Sequence, residues 1–583
     1  EDEPRFAYRG MHLDVGRHFF GVDFIKRYID LLAAYRMNTF HWHLTEDQGW
    51  RIEIEGYPRL TEVGSCRAET IVEKNFRPYV GDGVEYCGFY TQEEAREIVA
   101  YAAERFITVM PEIEMPGHSV AALAAYPELA CTPGPFQVAT VWGVKPDIYC
   151  PSEETFAFLE DVLTEVMEIF PSPYIHIGGD EAPKARWEES ELAQEVMLRE
   201  GLADEEELQS WFIRRIEAFL NQNGRNLVGW DEILEGGLAP NATVMSWRGE
   251  AGGIAAAREG HDVIMTPNSH LYLDHYQGDT LQEPLAIGGM SPLEQVYGYD
   301  PIPEELEPTQ AHHVLGAQGN VWTEYMATTD YVEYMVLPRL LALSEVDWSP
   351  AGLKDWDHFT RRIPGHLGRL DNEGYNFRIP DILGLERDRL TLAPEVEVEM
   401  RAPVPGGTVL YSTDGTDPGE GSHRLDHRLI LPVDEIGWEV SARARLPDGR
   451  MGAIRRARFA RTTLAHPVSL PSGERAQGLR LRLVEGRFRS VDGVAAVTGE
   501  NRTSADTETS STGTEAGFTV PRAILPERIP SNPFGLVLDG YVRVPRSGIY
   551  TFYLSSDDGS RLTVAGRLVV DNDGPHSMSE ESG

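Results

Sequence analysis

The sequence predicts an α/β fold, a TIM (β/α)8 barrel followed by two smaller all-β domains, and two observations carry this prediction. First, eight short apolar runs typical of strands alternate with amphipathic segments between residues 10 and 346. Second, beyond residue 389 the pattern changes to short β segments at 396–400, 408–412, 438–444 and 453–459. Eight strand–helix units in one block of this length indicate a closed barrel, because each helix covers the strands beside it.

The barrel elements follow one another in regular order for most of the block. The predicted strands are residues 11–15, 39–44, 108–112, 174–177, 227–230, 243–247, 263–266 and 314–321. Helical spacing of apolar residues occurs at 24–35, 93–105, 155–170, 205–221 and 253–258. Residues 268–313 show little regular pattern, and loops of that length are often functional.

The most informative stretch is the fourth strand with its continuation, Tyr174-Ile-His-Ile-Gly-Gly-Asp-Glu181. Neighbouring side chains of a strand point to opposite faces, so Asp180 and Glu181 serve one site only if the chain bends. Gly178-Gly179 permits that bend at little steric cost. Two adjacent carboxylates repel, so we expect one to have a raised pKa, which suits a reaction needing an acid and an anion. Read alone, the pair could also be a solvated acidic turn.

Polar and aromatic residues follow all eight predicted strands. Because TIM-barrel sites lie at the strand ends, these side chains are predicted to share one mouth. Carboxylates, an arginine and tryptophans suit a sugar, since hydroxyls need charged hydrogen-bond partners and pyranose faces pack on indole. In chain order they are Asp14, Arg17, Glu46, Asp47, Trp50, Glu114, His118, Asp180, Glu181, Trp230, Asp231, Glu232, Trp247, Tyr272, Asp274, Trp322 and Glu324.

Five motifs in residues 9–346 resemble the catalytic domain of family 20 glycoside hydrolases, the β-N-acetylhexosaminidases. They are Arg9-Gly-Met-His-Leu-Asp-Val-Gly-Arg-His-Phe-Phe20, His41-Trp-His-Leu-Thr-Glu-Asp-Gln-Gly-Trp50, Met110-Pro-Glu-Ile-Glu-Met-Pro-Gly-His118, His176-Ile-Gly-Gly-Asp-Glu181 and Gln318-Gly-Asn-Val-Trp-Thr-Glu324. The resemblance implies exo-acting hydrolysis of terminal non-reducing β-linked N-acetylhexosamine, GlcNAc or GalNAc. It also implies a retaining, substrate-assisted mechanism through an oxazolinium intermediate.

The resemblance assigns roles to individual residues. Glu181 resembles the general acid, Asp180 the partner that orients the acetamido N–H and stabilises the oxazolinium charge, and Tyr272 the donor to the acetamido oxygen. The other matching positions are predicted to bind substrate or support the acid: Arg17 for the 3- and 4-hydroxyls, Asp274 and Glu324 for the 4- and 6-hydroxyls, Trp230, Trp247 and Trp322 as pocket walls, and Glu46 and His118 behind the acid.

Several of these residues also have structural interpretations. His41 and His43 are interpreted as residues that shape the barrel rather than perform chemistry. Asp14 could pair with Arg17, and Asp231 and Glu232 could cap the next helix. Some family members carry Asp in place of Glu46.

The chain departs from the family pattern in two places. Relatives carry a further Trp in the loop after strand seven, whereas residues 283–289 contain no aromatic residue, so we expect sugars beyond the first to be bound differently. Family members also usually carry a small α/β domain before the barrel. None is visible in the first residues, and we expect the chain to be a fragment of a longer protein.

The predicted domains are the catalytic barrel (1–385), a small β-sandwich (386–461), a linker (462–477) and a truncated PA14-like β domain (478–583). The turn Ser412-Thr-Asp-Gly-Thr-Asp-Pro418 resembles one in the sandwich that follows some hexosaminidase barrels, and residues 535–545 and 547–562 resemble a PA14 domain, a module associated with glycan binding. The polar insertion 499–517 is predicted to be mobile. Asp557-Asp558 offers oxygens that suit Ca²⁺, although a polar turn is the favoured interpretation.

Composition restricts the partners and the compartment. A net charge of −41 disfavours nucleic acid, and without a run of about 18 apolar residues no membrane insertion is expected. Four cysteines permit Cys66–Cys87 and Cys131–Cys150 disulfides, with four free thiols as the alternative. Their spacing shows no zinc pattern, and no metal or cofactor is predicted. We expect a secreted, periplasmic or cell-surface enzyme acting on N-acetylhexosamine-containing oligosaccharides or glycoconjugates, with its oligomeric state open.

Two other functions compete with this prediction. A catalytically silent glycan-binding surface protein would keep the tryptophans and lose the acid or its partner, but Asp180, Glu181 and Tyr272 are all present. A retaining glycosidase with a protein carboxylate as nucleophile would cleave sugars that lack an acetamido group.

Overall fold

A computed structural model describes residues 2–76, 78–385, 388–425, 428–468, 478–486, 488, 490–498, 516–520, 533–556, 559–573 and 579–582. The chain forms two compact units. The first comprises Glu1–Pro380, Val404–Gly406 and Leu446–Gly452, and the second Asp381–Pro403, Gly407–Arg445 and Ala453–Gly583. Residues 469–477 of the predicted linker, 499–515 of the predicted insertion and the Asp557-Asp558 pair lie outside the described residues.

The first unit contains a closed barrel of eight parallel strands. They are β1 (Tyr8–Asp14), β2 (Thr39–His43), β3 (Thr108–Glu112), β4 (Tyr174–His176), β5 (Asn226–Trp230), β6 (Thr243–Ser246), β7 (Val263–Met265) and β8 (Val314–Gly319). Neighbours in the barrel are neighbours in the chain, and β8 closes the ring by pairing with β1. This confirms the predicted TIM barrel.

Helices connect the strands on the outside of the barrel. Those of eight or more residues in this unit are α1 (Val22–Ala34), α2 (Gln92–Ala103), α3 (Glu153–Ile169), α4 (Glu191–Glu200), α5 (Glu205–Gln222), α6 (Ala251–Glu259), α7 (Thr329–Val336), α8 (Arg339–Trp348) and α9 (Trp356–Asn372). Side-chain caps explain several starts: Thr91 and Glu94 form a capping box at α2, and Ser152 and Asp204 each accept a backbone N–H from the first turn of α3 and α5.

Short elements fill the loops at the strand ends. The predicted irregular stretch 268–313 contains only short helices within this unit, at Asn268–Leu271, Leu293–Gly298 and Pro308–Ala311. Other helical turns are Arg59–Glu62, Val120–Ala125, Pro127–Leu129, Ala185–Glu188, Asp231–Leu234 and Ala351–Leu353. The loop after β2 holds short strand pairs, Thr45–Glu46 with Gly49–Trp50, Cys66–Arg67 with Tyr86–Cys87, and Ile71–Phe76 with Tyr79–Gly81.

Apolar packing surrounds the strands, while the inside of the barrel is mixed. The main core lies between strands and helices, with Leu13, Ile29 and Leu163 among its fully buried members. Inside the barrel a smaller apolar cluster includes Val228 and Trp230, which share a face of β5 because side chains alternate along a strand. The remaining interior is polar and is described with the site.

Both predicted disulfides form in the structure. Cys66 and Cys87 face each other on paired strands and are joined, and Cys131 is joined to Cys150, so no cysteine is free. The bridges close loops with sequence separations of 21 and 19. Both loops follow barrel strands, β2 and β3, and therefore lie on the side of the barrel that carries the strand ends.

We expect each disulfide to stabilise the barrel through its closed loop. Loops of this size contribute about 3 kcal/mol, chiefly by restricting the unfolded chain. Replacing Cys131 and Cys150 together by Ser should therefore lower the urea midpoint for loss of activity, with Cys66 and Cys87 as the parallel pair. Mass spectrometry of the unreduced protein should show both linked peptides. Complete alkylation of all four cysteines in native, unreduced protein would contradict the pairing.

The second unit is rich in β-structure, as predicted. A five-stranded sheet is formed, in spatial order, by Asp388–Thr391, Arg455–Arg461, Trp438–Arg445, Thr408–Ser412 and His423–Arg424, and Glu395–Val398 pairs with Leu429–Pro432. Their core includes Val398, Val440 and Phe459. Further along the chain are Leu479–Glu485, the helix Val491–Thr498, Ala516–Val520, Phe534–Asp539, Tyr553–Ser556, Ser560–Val564, Arg567–Asn572 and Ser579–Ser582.

The predicted domain limits at 385, 461 and 477 stay predictions, because the division into two units does not separate the sandwich from the PA14-like segment. Within the described residues, no helix combines the length and the apolar character that crossing a bilayer requires.

Candidate active site

The chain turns sharply between β4 and Glu181. Gly178, Gly179 and Glu181 have φ values of +67°, +90° and +44°. A Cβ at position 178 would lie 1.7 Å from Glu114 Oε2, and one at 179 would lie 2.6 Å from a methyl of Ile233. Glycine is therefore required both by the backbone conformation and by the packing. The predicted bend is present, and it brings Asp180 and Glu181 to one place.

His118 lies between this carboxylate pair and a second pair of carboxylates, Glu46 and Asp47. Its Nε2 is 3.6 Å from Asp180 Oδ2 and 3.4 Å from Glu181 Oε2. Its Nδ1 is 2.8 Å from Glu46 Oε1 and 3.3 Å from Asp47 Oδ2. One imidazole thus contacts four carboxylates, and Glu46 and His118 lie behind the pair.

The environment of each group sets its protonation. Burial raises the pKa of Asp180 to about 7. Burial acts in the same direction on Glu181, but hydrogen bonding to His118 and its charge outweigh it and lower the pKa of Glu181. Burial opposes the charge of His118, but Glu46 and Asp180 raise its pKa well above the ordinary value. The pair therefore keeps one proton close to neutral pH, and in this structure Asp180 holds it more strongly.

Glu46 is buried among cations. Its Oε2 lies 3.0 Å from Arg17 Nη2 and 3.3 Å from His43 Nε2, while Oε1 contacts His118. Burial would raise its pKa, but Arg17 and His118 hold it well below the usual range. Glu46 is therefore an anion that anchors both the arginine and the histidine.

An aromatic wall lines the other side of the site. The ring centroids of Trp230 and Trp322 are 5.7 Å apart, those of Trp322 and Tyr272 are 6.5 Å apart, and those of Tyr272 and Trp247 are 6.0 Å apart with an interplanar angle of 23°. All four come from strand ends or the loops that follow them. The structure thus brings together Trp230, Trp247, Tyr272 and Trp322.

Arg17, Asp274 and Glu324 form a buried polar edge beside this wall. Arg17 lies 5.0 Å from the ring of Trp322, and its Nε is 4.0 Å from Glu324 Oε1. Among the described residues, Arg17 Nε and Nη1, Asp274 Oδ1, Glu324 Oε2 and Asp180 Oδ1 are buried without a protein hydrogen-bond partner. Burial raises the pKa of Glu324 to about 7, with Arg17 opposing, and raises that of Asp274 well above its usual range. Sugar hydroxyls would satisfy these donors and acceptors.

Two residues interpreted as helix caps have another role. Trp247 donates its indole N–H to Glu232 at 2.9 Å, and Arg248 donates to Asp231 at 2.9 Å. Burial raises the pKa of Glu232 to about 9, assisted by Asp180. Glu232 thus fixes the orientation of Trp247 in the aromatic wall, a function that its position in the sequence did not reveal.

The remaining strand-end residues support the loops. Asp14 accepts backbone N–H groups from Gly16 at 2.8 Å and Arg17 at 3.1 Å, and lies 3.7 Å from the Arg17 guanidinium. Asp47 accepts the Val120 N–H at 3.0 Å. Trp50 is buried and donates to the Ile52 carbonyl at 2.6 Å, so it belongs to the core of its loop and not to the pocket.

Residues 283–289, in the loop after β7, contain no aromatic residue, and two of them border the polar edge. Ile287 and Ala286 line a cavity together with Asp274, Trp322 and Glu324. Lys74, in the long loop after β2, donates to the Ile287 carbonyl at 2.8 Å. Tyr325 and Tyr331 line the same cavity, so its aromatic surface comes from other segments than residues 283–289.

A buried network that sequence reasoning missed surrounds Glu112 inside the barrel. His43 Nδ1 is 2.6 Å away, His41 Nε2 3.0 Å, His176 Nδ1 2.7 Å, and the Trp230 indole donates at 2.9 Å. These residues come from four different strands. The sequence did contain a signal for this network. His41 and His43 are two positions apart on β2, so their side chains point to the same face of the strand, towards the barrel interior.

Some of these groups are close enough to share a metal ion. They include His41, Glu112 and His176 in the barrel interior, and His118, Asp180 and Glu181 at the mouth. In the interior group Glu112 lies 3.0 Å from His41 and 2.7 Å from His176, as in close ion pairs.

Comparison with known proteins agrees with this geometry. Residues 6–351 match the model of "Glycosyl hydrolase family 20, catalytic domain". The chain belongs to this family. Residues 490–583 match the PA14 domain model.

Individual relatives place the chain among the β-hexosaminidases. It is 45% identical over 579 residues to a β-hexosaminidase of Porphyromonas gingivalis, covering 98% of this chain and 71% of that protein. A β-hexosaminidase of Vibrio furnissii is 43% identical over 59% of this chain and 57% of its own length. A family 20 exo-β-N-acetylglucosaminidase of Vibrio harveyi, solved with N-acetylglucosamine, has a TM-score of 0.58 at 37% identity, over 65% of this chain and 60% of that one. The family 20 enzyme described here is therefore a glycoside hydrolase of the β-hexosaminidase type.

Proposed function

We propose that this enzyme removes terminal non-reducing β-linked N-acetylhexosamine from oligosaccharides or glycoconjugates with retention of configuration, using the acetamido group of the substrate as nucleophile. The observation that carries the proposal is the placement of Asp180 and Glu181, which share His118 and lie beside an aromatic wall. Such a site offers one acid and one anion at adjacent positions. The Vibrio harveyi relative, solved with N-acetylglucosamine, supports the same class of sugar.

In the first step the acetamido carbonyl oxygen forms a bond to the anomeric carbon while the glycosidic C–O bond breaks. Glu181 donates its proton to the departing oxygen. Asp180 accepts a hydrogen bond from the acetamido N–H and stabilises the positive charge of the resulting oxazolinium ion. Tyr272 donates its phenolic O–H to the attacking oxygen, which keeps the acetamido group under the ring.

In the second step water attacks the anomeric carbon and opens the oxazolinium ring. Glu181, now a carboxylate, takes the proton from that water, and the acetamido group is restored. Two inversions at the same carbon give net retention. The charge on the protein is the same before and after the cycle.

The positions of the protons require a rearrangement when substrate binds. In the free enzyme Asp180 holds the shared proton more strongly, because it is the more buried carboxylate. The acetamido N–H needs an acceptor, so its arrival favours the Asp180 anion. The proton then resides on Glu181, where the leaving oxygen needs it. Substrate binding and activation of the acid are thus coupled.

The polar edge and the aromatic wall position the sugar. Arg17, Asp274 and Glu324 carry buried polar atoms suited to ring hydroxyls. Trp230, Trp247 and Trp322 enclose the acetyl methyl group and the apolar face of the ring. Only one terminal sugar is expected to fit this enclosed site, which is the basis for the exo-acting mode.

The proposal is tested by comparing two aryl glycosides that differ at one position. We expect p-nitrophenol release from the β-GlcNAc glycoside and essentially none from the β-glucoside, because the glucoside lacks the internal nucleophile. A thiazoline mimic of the cyclised intermediate should also inhibit far more tightly than free GlcNAc. The β-GalNAc glycoside then reports the preference at C4.

Two outcomes would support the competing functions instead. Tight binding of N-acetylhexosamine without turnover would identify a silent glycan-binding protein. Equal hydrolysis of the β-glucoside, or a sugar trapped covalently on a carboxylate-containing peptide, would identify a protein nucleophile.

We further propose that the enzyme acts outside the cytoplasm, in a secreted, periplasmic or cell-surface location. Two disulfides support this, since such bridges form and persist in oxidising compartments. The PA14 match suggests that the C-terminal part contacts polymeric or surface-bound glycans, where a second contact raises the effective concentration.

A further inference from the structure

A continuous row of side chains joins the middle of the barrel to the catalytic carboxylates. From the inside outwards it consists of Glu112, His43, Glu46, His118 and Glu181. The successive nitrogen–oxygen distances along the row are 2.6, 3.3, 2.8 and 3.4 Å. Each of the two imidazole rings therefore lies between two carboxylates.

His43 is charged in this arrangement. Its Nδ1 faces Glu112 and its Nε2 faces Glu46, so the ring must donate from both nitrogens. Burial opposes the charge, but Glu112 outweighs it and raises the pKa of His43 to about 10. The other ionisable groups around the ring are Glu114, 3.8 Å from Nδ1, Asp14, and His12, whose own pKa is lowered well below its usual value by burial.

The cation determines how Glu46 is oriented. Oε2 of Glu46 is shared between His43 Nε2 at 3.3 Å and Arg17 Nη2 at 3.0 Å. The opposite oxygen, Oε1, is thereby left to face His118 Nδ1 at 2.8 Å and the backbone N–H of Asp47 at 3.0 Å. Removing His43 takes away one of the two cations, His43 and Arg17, that hold Glu46 Oε2 in its present orientation.

We propose that His43 is a positioning residue of the active site, which fixes the carboxylate of Glu46 against His118 and thereby sets the protonation of the Asp180–Glu181 pair. This inference rests on the proposed function, since it concerns the acid used there. Among the described residues, the polar partners of His43 are Glu112, Glu46 and Glu114, so it acts only through other residues.

A purely structural His43 would behave differently from a positioning one. Loss of packing would lower stability and the yield of active enzyme, but the remaining enzyme would keep its pH profile. Loss of the fixed cation near Glu112, Glu46 and Glu114 would raise the pKa values of these carboxylates, because a positive neighbour favours the anionic form. The shape and position of the pH profile therefore separate the two roles.

The test is the variant His43→Gln, assayed on the p-nitrophenyl β-GlcNAc glycoside from pH 4 to pH 9. We expect kcat to fall about tenfold while KM changes less than about threefold, since the acid is affected directly and the sugar contacts only through the packing of His43 on Trp322, 5.0 Å between ring centroids. Both limbs of the profile of kcat/KM should move to higher pH, by about half a unit to one unit.

His41→Gln is the matched control. His41 lies on the same strand, is equally buried and also contacts Glu112, at 3.0 Å, but makes no hydrogen bond or ion pair with Glu46 among the described residues. We expect its pH profile to superimpose on that of the wild type, whatever its stability. An identical displacement in both variants would show that any disturbance of Glu112 suffices, and would overturn the role assigned to His43.

A double variant shows whether His43 acts through Glu46. If it does, adding His43→Gln to Glu46→Gln produces no further displacement of the profile, whereas independent effects add. Additive displacements, or a His43→Gln profile identical to that of the wild type, overturn the inference. Wild-type activity on the β-GlcNAc glycoside tests the proposed function separately, because it does not depend on either variant.

A measurement on the unaltered enzyme covers the case in which His43→Gln does not fold. A neutron structure at pH 8 should show deuterium on both nitrogens of His43 and on only one nitrogen of His41. A single deuterium on His43 would overturn the inference.

Discussion

Glu181→Gln is expected to lower kcat by a factor on the order of 10²–10⁴, the usual contribution of general acid–base catalysis. Glutamine keeps the size of the side chain and removes the proton that the leaving oxygen needs. The loss should be largest for aryl glycosides with poor leaving groups, because these depend most on protonation. A series of substituted phenyl glycosides, assayed at constant pH, measures this dependence.

The control for this variant is Glu189→Gln, the same chemical change on the same segment after β4. Glu189 is 69% exposed and lies 3.5 Å from Arg186, so its loss should leave kcat and KM unchanged. If Glu181→Gln lowered kcat by the same factor for substrates with good and with poor leaving groups, Glu181 would not be the group that protonates the leaving oxygen.

Asp180→Asn is expected to lower kcat by about 10²–10³, the range for loss of one group that stabilises developing charge. Asparagine retains the shape but cannot neutralise the oxazolinium ion. The affinity for the thiazoline mimic should fall with kcat, since both depend on the same charge. Affinity for free GlcNAc should change much less.

The same variant should move the basic limb of the kcat/KM profile. In the wild type the active form carries one proton on the carboxylate pair, and that proton is lost as the pH rises through about 7, the pKa of Asp180. Activity should therefore decline above this pH. In Asp180→Asn only Glu181 can hold a proton, and its pKa is lowered, so the decline should begin at a lower pH. A basic limb that stays in place would show that another group controls it. Asp147→Asn, at a half-buried carboxylate that pairs with Arg186 away from the carboxylate pair, is the matched control.

Much of the barrel could be predicted because its signals are local. Each strand is a short apolar run, and the Gly178-Gly179 pair predicts the bend that brings Asp180 and Glu181 together. Of the aromatic wall and the polar edge, the five motifs contain Trp322, Arg17 and Glu324, and the family resemblance implied the other members. Trp50 is the exception among the strand-end tryptophans, since nothing local distinguishes an indole that packs inside its own loop from one that lines the pocket.

Protonation could not be predicted in the same way, because it depends on burial and on neighbours distant in the chain. The sequence indicates that one carboxylate of the pair has a raised pKa, but not that it is Asp180. That outcome follows from exposure: the Asp180 side chain is 12% exposed and that of Glu181 is 39% exposed. Likewise, nothing near His43 in the sequence shows that Glu112, on another strand, keeps it charged.

The network around Glu112 has a consequence for how the barrel folds. This single carboxylate on β3 contacts His43 on β2, His176 on β4 and Trp230 on β5. A partly assembled barrel that lacks any of these strands would bury an anion with donors missing, at a cost of several kcal/mol. Intermediates that lack any one of β2–β5 are therefore disfavoured, and these four strands should gain protection from hydrogen exchange together, in one cooperative step.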